Sequence, residues 1–163
     1  MLPGPPAAEY RDDTYSLTMK LTTEVQVQNV QRWGDQETTV FFRTVMGPAA
    51  LYFRILHEPR SFSVAEASKL LDAAIASKMQ ERLGEGNDGY HIRESGCTER
   101  TIGERPAISC IADFKNQGED YSEYLTYVLS EKTTALFFAH CPPRDFDAMR
   151  AHLEKVIETV RIP

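Results

Sequence analysis

At 163 residues, 42% of them hydrophobic and 26% charged, the chain is composed like an ordinary globular domain and not like a disordered segment. Its formal net charge is −6 at pH 7 with no Lys/Arg run, so it lacks the cationic stripe that nucleic acid or an anionic membrane surface needs. No apolar stretch approaches the roughly 20 residues that cross a bilayer, which argues against membrane insertion.

Residues 1–8, rich in Pro, Gly and Ala, read as a flexible lead-in, and residues 9–163 as a single α+β domain. The lead-in lacks the charged and apolar regions of a signal peptide. A cytoplasmic protein is therefore the default, with an exported one the alternative if a leader once preceded it. Thr14–Lys20 and Glu24–Gln28 alternate apolar and polar residues, as half-buried strands do. A turn is expected at Arg32–Asp35 around Gly34. Thr38–Val45 and Ala49–His57 then form a strand pair split by Gly47-Pro48. Ser63-x-x-Glu66 is a capping-box pattern with Phe62 before it as a staple. Val64, Ala67, Leu71, Ala74, Ile75 and Met79 make one helical stripe, and Gly84 is its stop signal. A glycine-rich loop over 84–89 leads into a strand from Tyr90 to Thr101, which turns back through Gly103.

The most strongly patterned region is Arg105–Ile162. Ile108, Cys110, Ala112 and Phe114 share one face of a strand. Lys115–Asp120 is a turn, Tyr121–Ser130 an aromatic and β-branched strand, and Ser130–Thr133 a tight hairpin. Thr134–Ala139 is apolar on both faces, which predicts a strand covered on both sides. Pro142-Pro143 ends it, and Asp145 is placed to cap a helix. Phe146, Met149, Leu153, Val156, Ile157 and Val160 form the buried face of that helix. Strands grouped apart from helices predict a mainly antiparallel sheet sandwiched between helices on its two sides.

The Gly103-Glu-Arg-Pro-Ala107 segment, the Tyr-rich strand, the strand apolar on both faces and the closing helix together resemble the PsbP-like family. Its members are accessory proteins of the photosynthetic oxygen-evolving complex and their bacterial relatives. Ran-binding nuclear-import factors and some type VI secretion effector chaperones are similar in fold. The resemblance runs over roughly Glu9–Pro163 and implies an α/β/α sandwich with a non-catalytic, protein-binding role. The family's Pro-x-x-Trp segment after the first strand is missing from Thr18–Thr23, so no binding residue is carried over.

Catalytic and metal-binding patterns are not apparent, and no catalytic, cofactor or metal residue is assigned. His140 and Cys141 are adjacent, so along a strand they point to opposite faces and do not form a dyad. His57, His91, His140 and His152 are scattered without metal-ligand spacing. Asp12-Asp13 and Glu119-Asp120 read as solvated turn carboxylates and not as a calcium loop. Residues 84–89 follow a helix, whereas a phosphate cradle precedes one. Cys97, Cys110 and Cys141 are read first as buried thiols, in keeping with a reducing compartment. A bond between Cys97 and Cys110 on neighbouring strands is the alternative, if they occupy facing positions.

Two classes follow. One is a non-enzymatic interaction or accessory module with an unidentified protein partner. The other is a ligand carrier or small enzyme of cone-shaped α+β type, which a pocket above ~300 Å³ with convergent polar groups would mark.

Overall fold

The computed structural model describes residues 9–14, 16–22, 24–33, 37–44, 50–57, 64–84, 86–130 and 133–162. The elements are β1 (Glu9–Asp12), β2 (Leu17–Lys20), β3 (Val25–Trp33), β4 (Glu37–Thr44), β5 (Ala50–His57) and α1 (Val64–Gly84). They continue as β6 (Asp88–Ile102), β7 (Arg105–Asn116), β8 (Glu119–Leu129), β9 (Thr133–Cys141), a 3₁₀ turn (Pro143–Asp145) and α2 (Phe146–Ile157).

Seven strands form one antiparallel sheet in the order β3-β4-β5-β9-β8-β7-β6, and β1 pairs with β2 in a separate ribbon. Two meanders, β3-β4-β5 and β6-β7-β8-β9, meet where β5 pairs with β9. Helix α1 carries the chain from the middle of the sheet to its far edge. The β6–β7 and β7–β8 hairpins turn through Gly103-Glu104 and Gln117-Gly118, all four at positive φ, the conformation that matches strand twist in a two-residue turn. At Gly103 a side chain would also collide with the tail, since a Cβ there would lie 2.7 Å from the Val160 carbonyl oxygen.

The sheet separates two apolar clusters, and the period of two along each strand decides which residue joins which. Ala135, Phe137, Ala139 and Cys141 of β9 pack with Phe146, Met149, Leu153, Val156 and Ile157 of α2, and with Leu17 and Met19 of β2. Leu136 of β9, Leu125, Tyr127 and Leu129 of β8, and Ile108, Cys110, Ala112 and Phe114 of β7 gather on the other face with Ile75 of α1. The two helices therefore lie on opposite faces, as the two-sided pattern of β9 requires. Each buried Leu, Ile or Phe contributes about 1.5–3 kcal/mol relative to exposure, so these layers dominate the stability. The ribbon is held to the end of the chain: Thr18 N–H donates to the Arg161 carbonyl at 3.0 Å and Arg161 N–H to that of Thr18 at 2.9 Å.

Several expectations change. Strand β3 runs on to Trp33, where a turn was expected from Arg32. Asp12 is fully buried at the end of β1, accepting from the Tyr10 hydroxyl, Thr14 N–H and the Arg32 guanidinium; it is not a solvated turn residue. Asp145 occupies the N-cap position of α2 without a side-chain bond to the helix. Cys97 and Cys110 form a disulfide between directly opposed residues, Cα atoms 4.1 Å apart, and are not free thiols. The Ser63 capping box and the Phe62 staple lie outside the described residues.

Candidate functional site: the edges and the cleft

Catalytic chemistry at Cys141 finds no support in its surroundings. The residue is fully buried against α2, while His140 turns to the α1 face among Phe114 and Tyr121. Burial, with the nearby Asp145 carboxylate, pushes the Cys141 thiol up to about 11, so it stays protonated at neutral pH. On the opposite face Glu123 is fully buried; the Tyr90 hydroxyl donates to its Oε1 at 2.9 Å, and His140 Nδ1 lies 3.6 Å from its Oε2. Lys78 of α1 is also buried, its Nζ 4.2 Å from the centre of the Phe138 ring and 3.3 Å from Glu81. Helical spacing from Ile75 marks position 78 as inward-facing, a signal the apolar stripe conceals because the residue is lysine. His91 is exposed on β6 and His152 half-buried on α2. Among the described residues no group of three or more His, Cys, Asp or Glu is placed to hold a metal ion.

An open cleft of about 400 Å³ lies at the turn end of β7 and β8. Phe114 and Tyr121, stacked 5.4 Å apart, and Pro143 provide its apolar surface. Asp88, His91 and Asp113 stand among its polar groups. Asp113 is already engaged: Arg93 donates to both of its oxygens at 2.6 and 2.9 Å, and the Ser122 hydroxyl adds a bond at 2.7 Å. The Arg93 bond holds the Asp113 carboxyl below its ordinary value, against a smaller opposing effect of burial. Asp120 is exposed and faces Lys115 at 3.4 Å.

The two edges of the sheet differ. Along β6, Ile92 pairs with Ala112 and Cys97 with Cys110, so residues 93–96 stand opposite the single residue Ile111. This bulge contains Ser95 at positive φ and Gly96, where a Cβ would lie 2.7 Å from the Arg93 carbonyl oxygen. The disulfide closes the bulge on one side and the Arg93–Asp113 pair fixes it on the other. Arg100 of the same strand reaches Glu154 of α2 at 2.7 Å, and the Tyr124 hydroxyl donates to the same carboxylate. Burial alone would raise the Glu154 carboxyl, but the bonds from Arg100 and Tyr124 bring it below its ordinary value.

Among the described residues, strand β3 carries neither a long bulge nor a disulfide, and its one ion pair is that of Arg32 with Asp12. It pairs with β4 alone among the described strands. One bulge at Gln28, between Val27 and Asn29, leaves Asn29–Trp33 as an unbroken run. Asn29, Gln31, Arg32 and Trp33 are exposed, Trp33 at 59%, and Arg32 is tied to Asp12 at 3.2 Å. A turn was expected from Arg32 because an edge strand with solvent on one side and polar side chains shows no alternation.

These layers define an antiparallel α/β/α sandwich. Comparison with solved structures narrows the class to the PsbP-like fold: cyanobacterial PsbP from Synechocystis aligns over 98% of this chain and 95% of its own, with TM-score 0.70 and 10% identity. LpqN of Mycobacterium tuberculosis, involved in cell envelope biogenesis, aligns over 98% of this chain and 87% of its own, with TM-score 0.60 and 10% identity. A Pseudomonas aeruginosa protein of unknown function, described as a putative regulator, aligns over 98% of both chains with TM-score 0.52 and 14% identity. No family model and no curated protein matches the chain.

Proposed function

We propose that the chain is a non-catalytic accessory module, a single domain from Glu9 to Pro163, that binds another protein through the β3 edge of its sheet. The observation that carries this function is the run Asn29–Trp33, paired with β4 alone among the described strands, with Arg32 as its single charge and ending in Trp33, the chain's one tryptophan, exposed at 59%. Exposed aromatic side chains beside open backbone groups are what partner surfaces bury first. The Cys97–Cys110 bond adds a compartment: disulfides persist in oxidising surroundings, which favours the exported placement over the cytoplasmic default.

The test is capture from an extract of the host with the intact chain and with Trp33→Ala. A partner retained by the former and lost by the latter, with unchanged circular dichroism, supports the function. Equal retention by both contradicts it. A second function, carriage of a small ligand, draws on the cleft of about 400 Å³ beside Phe114 and Tyr121. Ligand-dependent amide shifts confined to those residues would favour it.

A further inference from the structure

Building on the partner-binding function above, we propose that the β3 edge takes an extended, non-acidic segment of the partner as an additional strand along Asn29–Trp33. An edge strand presents a row of backbone N–H and C=O groups to solvent, and proteins usually protect such rows with charges, bulges, proline or a covering element. At β6 that protection is present: a long bulge, a disulfide, and Arg93, Glu94, Glu99 and Arg100 along the strand. From Asn29 to Trp33 the only charge is Arg32, and Asp12 holds it.

The register fixes what the incoming strand meets. Val30 pairs with Val40 and lies on the α2 face, half-buried against the core. Asn29, Gln31 and Trp33 pair with Phe41, Thr39 and Glu37 on the other face. An added strand with alternating apolar residues would continue the Val30 side into that core layer and rest its other side against Trp33. The chain's net charge of −6 disfavours an acidic segment.

A second copy of the chain fits the edge less well. Five residues of strand span roughly 17 Å, and two rigid domains meeting along so short a line of one sheet layer fall well short of the ~1,000 Å² of a stable interface. Two copies also bring like net charge together. A flexible segment has neither restriction, because main-chain bonds supply its affinity and the neighbouring side chains its selectivity.

The probe is a blocked heptapeptide of alternating threonine and valine carrying one lysine, added to the isotopically labelled full chain. Expected are amide shifts centred on Asn29–Trp33, a blue shift of Trp33 emission, and at least tenfold weaker binding when the peptide's inner amides are N-methylated. Equal binding of the methylated peptide overturns strand addition, as does the absence of shifts in β3 at millimolar peptide. Concentration-dependent self-association through β3 without peptide overturns the choice of occupant. If these fail while Trp33→Ala still abolishes partner capture, the binding mode falls and the partner-binding function stands. If capture survives Trp33→Ala, that function falls as well.

Discussion

At β6 the sheet ends in a strand with four residues opposite one, a cystine across to β7 and an arginine reaching α2. At β3, six strands away, it ends in a nine-residue strand with one small bulge and an exposed tryptophan. Both strands are largely solvent-exposed, so exposure does not separate them. What differs is whether the outer backbone is deformed and tethered or left regular. A deformed edge cannot template another strand, and a regular one can. Among the described residues, one edge of this sheet is thus bulged and cross-linked, and the other keeps a regular strand paired on one side.

The largest expected effect comes from releasing the closed edge. Replacing both Cys97 and Cys110 by Ser removes a cross-link spanning 13 residues and should cost about 3 kcal/mol, read from the denaturant midpoint. A loss below ~0.5 kcal/mol would mean that the bulge holds its shape without the bond. Glu154→Gln comes next. It weakens the bonds that Arg100 and Tyr124 make to α2 and should cost roughly 1–2 kcal/mol.

Acid titration sharpens the same contrast. Asp113 and Glu154 both sit below their ordinary values in the folded state. Their contribution is therefore complete above the unfolded carboxylate range, about 4, and is lost as pH falls through the lowered folded values. Stability measured from pH 6 down to pH 2 should decline less steeply in Glu154→Gln than in the parent. Identical slopes would remove the β6–α2 tether from the account. The smallest effect on stability belongs to the β3 edge: Trp33→Ala should change the unfolding free energy by no more than ~0.5 kcal/mol, because the side chain is mostly in water. A larger loss would show that Trp33 holds the fold and does not await a partner.

Much of the sandwich was legible from residues that make the same demand at every level. Thr134–Ala139 is apolar on both faces and lies between both cores; the spacing from Phe146 to Ile157 gave the buried face of α2. The Ser130–Thr133 hairpin was marked by its polar break, and its ends are joined by Ser130 N–H donating to the Thr133 carbonyl at 2.9 Å. The disulfide was within reach: a two-residue turn at Gly103-Glu104 sets Ile102 opposite Arg105, and Cys97 and Cys110 each lie five residues further along. It stood only as the alternative because the register of this hairpin was left unfixed.

The candidate edge was less legible, for a physical reason. Asn29, Gln31 and Arg32 are strand residues through their pairing with β4, and pairing leaves no mark on side-chain polarity when solvent covers the outer side. Strand β1, Glu9-Tyr-Arg-Asp12, was missed likewise; three of its four residues are charged, and the burial of Asp12 depends on Arg32 from a distant strand.

The most direct measurement is amide hydrogen exchange of the intact chain, free and bound to the partner captured through the Trp33 test. New protection within Asn29–Trp33 is expected on binding, with unchanged exchange along β6. Protection appearing on β6 or around Phe114 and Tyr121, with β3 exchanging as in the free chain, would contradict binding at β3.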